Sequence, residues 1–160
     1  MIKRIQSIQR RATGGRFAIV AARYNGRYVE AMLTAAKMEL TRAKADQIKI
    51  IRVPGSFEIP VVAATLAHSQ RPLLSAILCF GVIFQGETSH ARHIGDAVSH
   101  ALAGIQVGYR IPVIHGVFVF ENEDQARVRC LGKKHNRGTE AARTAVEMAG
   151  VIHELESFGF

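Results

Sequence analysis

Cysteine is scarce in this chain: Cys79 and Cys130 are the only two, with no CxxC or Cys/His spacing around either. A disulfide framework and a structural zinc site are thereby excluded. Cys79, inside SAILCFGVIF, reads as a small buried apolar residue, and Cys130 falls on an expected helix among basic residues. No apolar run approaches the roughly 20 residues that a bilayer span requires. Acidic residues are missing before Glu30, so the start, MIKRIQSIQRRATGGR, is basic. A transit peptide would share that charge, but no signal-type apolar core follows it, and the cytoplasm is the expected compartment. Also absent are GxxxxGK[ST], HExxH and any RNA-binding signature, which removes the common nucleotide, zinc-protease and RNA-reading motifs.

What remains is ordinary globular chemistry. The 160 residues are 48% hydrophobic and 21% charged, enough for one domain with a proper core. A formal charge of +8 concentrates in the first sixteen residues and in Arg127–Arg137. Such excess attracts anions, including phosphorylated small molecules. No stacking aromatics interleave the basic runs, so neither nucleic acid nor a membrane is an expected partner.

Period and punctuation predict four strands, RFAIVAAR (16–23), QIKIIRV (47–53), LLSAILCFGVIF (73–84) and IPVIHGVFVF (111–120). Between and after them the pattern predicts helices over 28–42, 59–68, 90–109, 123–130 and 139–154. In the third, Ile94, Ala97, Val98, Ala101, Leu102 and Ile105 form the expected packed stripe. A βαβαβαβα order implies an α/β, single-domain, three-layer fold: a four-stranded parallel sheet flanked by helices, flavodoxin-like. Residues 1–15 read as a basic arm, 16–156 as the domain and 157–160 as a short end.

Open α/β sheets bind ligands beyond the carboxyl ends of their strands. Those ends here carry ARYN (22–25 with Ala22), VPGSFE (53–58), FQGETSH (84–90) and FEN (120–122). Gly86 is expected to give the third turn a backbone conformation closed to other residues. The N–H groups of Glu87, Thr88 and Ser89 sit at a helix start, where anions bind, although Thr88 or Ser89 could equally cap the helix. His90 exchanges protons near neutral pH. His93 follows three residues on, but no third ligand stands at useful spacing and no metal site is expected. Glu58 is either a helix-start carboxylate or an acceptor for ligand hydroxyls, and Tyr24 either packs or stacks on a flat heterocycle.

In order and spacing, ARYN, VPGSFEIP, GVIFQGETSH, IPVIHGV, ENEDQA and RCLGKKHNRGTEAA resemble the segments of the 6,7-dimethyl-8-ribityllumazine synthase family, from about residue 15 to 150. The resemblance implies condensation of 5-amino-6-ribitylaminouracil with 3,4-dihydroxy-2-butanone 4-phosphate, releasing phosphate and water, with no cofactor or metal. It implies that Tyr24 stacks on the pyrimidine, Ser56, Phe57 and Glu58 hold the ribityl chain, and Val82 and Ile83 line the pyrimidine pocket. Gly86, Glu87 and Thr88 would bind phosphate and His90 would move protons. It further implies a pentamer or a multiple of it, the neighbouring copy supplying His115, where an aromatic is common, Arg129 and Lys133. A non-catalytic relative that binds flavin or lumazine is the alternative. The chain departs from the family pattern at Ala91-Arg92-His93, at Gln85, at Val119-Phe120 and at the Lys-His pair of KKHNRG.

Overall fold

Of the four strands, two are buried almost throughout and two carry exposed positions, and the difference reports their places in the sheet. The computed structural model describes residues 14–69 and 73–160. Its elements run β1 (Arg16–Ala22), α1 (Gly26–Arg42), β2 (Gln47–Val53), a short 3-10 turn (Ser56–Glu58), α2 (Ile59–His68), β3 (Ala76–Phe84), α3 (His90–Tyr109), β4 (Val113–Phe120), α4 (Glu123–Ala126), a π turn (Arg127–Leu131) and α5 (Arg137–Ser157). The strands form one parallel sheet in the order β2-β1-β3-β4. Central β1 and β3 have helices on both faces and bury almost every side chain, whereas edge strands β2 and β4 carry exposed positions. The expected α/β architecture is what the chain adopts.

Alternation along the strands divides the core. Phe17, Ile19 and Ala21 of β1 join Leu78, Phe80 and Val82 of β3 against Val29, Met32 and Leu40 of α1 and Ala141, Ala142 and Ala145 of α5. Val20, Ala22, Ile77 and Cys79 face the other way, onto Ile59 and Ala63 of α2 and Val98 and Leu102 of α3. Helices α1 and α5 meet closely because the second residue of α5 is a glycine. A Cβ at Gly138 would stand 1.9 Å from the Met32 carbonyl oxygen, inside any permissible contact.

Three expectations need correction. Strands β3 and β4 start at Ala76 and Val113, later than predicted, because the preceding Leu73, Leu74, Ile111 and Pro112 precede the paired register. In α3 the buried stripe is narrower than the apolar pattern. Ala91, Val98 and Leu102 are buried with Ile94 and Ile105 half-buried, while Ala97 faces solvent and Ala101 is only half-buried. Small alanines on the flank of an apolar stripe fit either environment, so the pattern overstates the buried arc. The helix expected over 123–130 is α-helical only to Ala126 and then widens into the π turn. The Cys130 carbonyl is taken by the Asn136 amide at 2.5 Å, and Asn136 also caps α5 by accepting from the Gly138 N–H at 2.8 Å.

Both thiols are buried, Cys130 in the α1–α5 layer and Cys79 in the α2–α3 layer. Burial pushes Cys79 up to about 12 and Cys130 up to about 11, the latter partly opposed by the Arg137 charge. Among the described residues no helix is long and apolar enough to cross a membrane. Residues 1–13 of the expected basic arm lie outside the described residues.

Candidate active site

The carboxyl ends of β1, β2 and β3 are tied to one another by bonds that continue past the strands. Arg23 N–H donates to the Val53 carbonyl at 2.8 Å and Tyr24 N–H to the Pro54 carbonyl at 3.1 Å. Asn25 then adopts the left-handed conformation (φ 53°, ψ 40°), which asparagine tolerates better than most residues. Its side-chain amide donates to the Val82 carbonyl at 2.7 Å, fastening the β1–α1 turn to the end of β3. One such bond contributes about 1 kcal/mol, and here it also fixes direction. Tyr24, immediately before, is left 75% exposed at the end of β1.

The β2 turn packs onto β3. Ser56 is buried against Gly81, where a Cβ would approach its Oγ to 2.3 Å. Phe57, next to it, is 61% exposed. The Glu58 carboxylate accepts from the Gly55 N–H through Oε2 at 2.8 Å, so it stabilises its own turn at the helix start. Val82 points into the α1–α5 layer and is buried, whereas Ile83 is half-buried on the opposite face.

The turn from β3 to α3 is exposed from Gly86 through His90. Gln85 organises it: its N–H donates to the Phe120 carbonyl at 2.8 Å, and its side-chain amide donates to the carbonyls of Gly86 at 3.1 Å and Thr88 at 2.7 Å. Those bonds turn carbonyls inward. The N–H groups of Gly86, Glu87, Thr88 and Ser89 meet no protein acceptor among the described residues. Capping of α3 is weak: Thr88 Oγ1 accepts from the His90 N–H at 3.4 Å, and Ser89 makes no side-chain cap. The expectation for Gly86 fails, since its backbone is outside the left-handed region and a Cβ there would meet nothing within 4 Å. Gln85 shapes the turn by its side chain, so the glycine is not required for conformation. His90 is the exposed first residue of α3, and no group of three or more metal-ligating residues occurs among the described residues.

A second, basic feature lies at the carboxyl end of β4, beside α4 and the π turn. A hollow of about 620 Å³ is floored by Phe118, Phe120 and Val128 and bordered by Arg129, Arg137 and Asp124. The two phenyl rings stack at 5.9 Å, and the Arg137 guanidinium lies 5.8 Å from the Phe118 ring centre. Arg137 also pairs with Glu140 at 2.5 Å, whereas Arg129 makes no ion pair among the described residues. None of Tyr24, Ser56, Glu58, Thr88 or His90 lines this hollow. A smaller cavity of about 240 Å³ sits at the amino ends of the strands, beside Leu66, Tyr109, Pro112 and His153, and touches no expected site residue.

The expected residues therefore fall into groups. Tyr24, Ser56, Phe57, Glu58, Ile83 and Gly86–His90 share the rim, with Val82 offering backbone. Arg129 sits in the hollow. His115 lies five residues before the end of β4, about 16 Å down the strand, with its ring bonded to Ser99 of α3. Lys133 is exposed in the turn before α5 and does not line the hollow. Sequence reading passed over two residues. Asn25 was signalled by its type, a common left-handed residue after a strand. Arg137 was signalled only by membership of a basic segment, which does not say which cations face a cavity.

Fold and rim together define a flavodoxin-like α/β protein with Tyr24, Ser56, Glu58 and His90 at the carboxyl ends of a parallel sheet, the end where such sheets bind ligands. The family model for 6,7-dimethyl-8-ribityllumazine synthase matches residues 14–153. The chain is similar to the 6,7-dimethyl-8-ribityllumazine synthase of Stenotrophomonas maltophilia (strain R551-3), 36% identical over 143 residues, 88% of this chain and 90% of that protein. It is similar, too, to those of Xanthomonas euvesicatoria pv. vesicatoria (strain 85-10), 34% identical, and Xylella fastidiosa (strain M12), 33% identical. Both matches cover 147 residues, 91% of this chain and 94% of each relative. The chain belongs to the 6,7-dimethyl-8-ribityllumazine synthase family, as VPGSFEIP and GETSH implied.

Proposed function

We propose that this chain condenses 5-amino-6-ribitylaminouracil with 3,4-dihydroxy-2-butanone 4-phosphate, a transferase step of riboflavin biosynthesis, at sites shared between copies in a pentamer or a multiple of it. Family membership supports the reaction. The single observation that supports the shared site is that Arg129 lies in the basic hollow, which none of Tyr24, Ser56, Glu58, Thr88 or His90 lines. The cytoplasm fits this reading, since the chain needs only small diffusible substrates.

In this reading Tyr24 stacks on the pyrimidine beside Ile83 and the Val82 backbone. Ser56, Phe57 and Glu58 hold the ribityl chain, Glu58 through the oxygen that its turn leaves over. The unpartnered N–H groups of Gly86, Glu87 and Thr88 receive phosphate together with Arg129 of the neighbouring copy. Arg137 adds a second cation to that hollow, Lys133 approaches from its turn, and His115 of the neighbouring copy covers the pyrimidine. The 5-amino nitrogen attacks the ketone, and water leaves as the imine forms. Phosphate is then eliminated, and the ribitylamino nitrogen closes the ring with loss of a second water. Each step moves a proton rather than demanding a strong nucleophile. His90, exposed at the rim, is the group able to carry it near neutrality. Holding two substrates face to face supplies much of the remaining acceleration.

Mixing purified protein with both substrates and following lumazine absorbance tests the reaction, and native mass spectrometry tests the assembly. Lumazine formation by a species of five subunits, or a multiple, is expected. Binding of the pyrimidine without turnover would instead identify a non-catalytic relative. Turnover by a monomer would overturn the shared site alone.

A further inference from the structure

Ser99 of α3 links two acceptor-bearing groups. Its Oγ lies 2.7 Å from the Gly95 carbonyl one turn earlier and 2.8 Å from Nε2 of His115 on β4. The helix and strand are close enough for this because residue 95 is glycine: a Cβ there would come within 2.6 Å of Val119 Cγ2. A hydroxyl has one hydrogen, and a carbonyl oxygen can only accept, so that hydrogen goes to Gly95. Ser99 must then accept from His115, which puts a hydrogen on Nε2. The neutral imidazole is left with a bare lone pair on Nδ1, on a ring that is exposed.

We propose that Ser99 is a positioning residue that holds His115 as the Nε2–H tautomer, so that Nδ1 accepts a hydrogen bond from an N–H of the ribityl-pyrimidine bound by the neighbouring copy. The second half of this inference rests on the shared site proposed above. A carbocyclic aromatic at residue 115 would offer the substrate only a ring face. An imidazole held in one tautomer offers a face and a directed acceptor. The amine substrate presents several N–H groups along its edge that such an acceptor can meet, whereas the four-carbon ketone offers a single hydroxyl. Ser99 thereby discriminates between the two substrates through His115 without touching either.

Nitrogen-15 NMR of the His115 ring in the assembled protein, with steady-state kinetics varying each substrate in turn, tests both halves. The wild type is expected to show the Nε2–H tautomer alone, Ser99→Thr to retain it, and Ser99→Ala to show both tautomers. Ser99→Ala should raise KM for the ribityl-pyrimidine about threefold to tenfold, the range of one neutral hydrogen bond, with less than a twofold change for the ketone phosphate. Ser99→Thr should restore it, and His115→Phe should produce a similar loss to which Ser99→Ala adds nothing. A mixed or Nδ1–H tautomer in the wild type would overturn the positioning role. Equal KM losses for both substrates, or additive losses in the double variant, would overturn substrate recognition by Nδ1. Absence of turnover in the wild type would overturn the proposed reaction and the recognition step together, while the NMR spectra still decide whether Ser99 sets the tautomer.

Discussion

The rim and the hollow are built by opposite means. At the rim, backbone does the work: strand ladders run past their ends, Asn25 fastens one turn to β3, Gln85 fixes another, and N–H groups are left without protein acceptors among the described residues. In the hollow the chemistry belongs to side chains, Arg137 over one of two stacked rings and Arg129 in the lining, beside a helix that widens into a π turn. A backbone cradle holds geometry but carries only partial charges. Guanidiniums carry full charge but on flexible stems, and they gain precision from rings and carboxylates beside them. The proposed sites give a reaction that expels phosphate while shuttling protons a use for both, so the difference bears on function. Breaking each half separately should therefore produce different kinetic signatures.

The largest effect on kcat is expected at the rim. His90→Gln should lower kcat by about 10²-fold, toward the low end of what general acid–base groups contribute, with the fold unchanged. Circular dichroism checks the fold and initial rates across pH check the loss. Full turnover at every pH would move proton transfer elsewhere and leave the rim as a binding surface only. In the hollow, Arg129→Ala should raise KM for the ketone phosphate about 10- to 150-fold, the range of one charge-assisted hydrogen bond. The ribityl-pyrimidine KM should change little. Equal losses for both substrates would show that Arg129 supports assembly rather than phosphate binding.

A third test concerns the joint between the halves. Helix α1 leaves the rim at Asn25, α5 brings Arg137 to the hollow, and the two meet where Gly138 lies under the Met32 carbonyl. Backbone cannot yield as a flexible side chain can. Gly138→Ala should cost about 1–3 kcal/mol of stability, read from chemical denaturation, and should impair KM for the ketone phosphate more than kcat. An unchanged midpoint would mean that α5 shifts freely, and that the hollow is less tightly coupled to the rim than this contact implies.

Legibility from sequence followed the same division. Strands and long helices were readable because β1 and β3 are buried on both faces and α1, α2 and α5 carry clear apolar faces. The motifs carried the rim, since PGSFE and GETSH lie directly at strand ends. Gly86 was misread because turn shape there depends on the Gln85 side chain, a contact with no signature in composition. The π turn was illegible because a wide turn and an α-turn draw on the same residues, and what decides is Asn136, six residues beyond Cys130. Ser99 left no trace either, as serine inside a helix usually bonds back along it, and its link to His115 exists only once α3 lies on β4. Cavity-facing cations were the least readable of all, since a basic segment gives charge but no direction.

Arg127 and Arg129 make that last point testable, and the expected effect is the smallest. They stand two residues apart on the same turn and look alike in sequence. Arg127 pairs with Asp124, three residues earlier, and both partners are largely exposed. Exposed pairs of this spacing contribute at most a few tenths of a kcal/mol, because solvent screens the charges and ordering two long side chains offsets the attraction. Arg129 borders the hollow without an ion-pair partner among the described residues, so its charge remains available to an anion. Arg127→Ala should thus change KM for either substrate less than about twofold. Asp124 borders the hollow as well, and removing its partner frees a carboxylate there. If KM for the ketone phosphate rises several-fold in Arg127→Ala but returns in Arg127→Ala with Asp124→Asn, the hollow senses charge through Asp124. A loss that persists in the double variant would place Arg127 itself on the phosphate, and the distinction between the two arginines would fall.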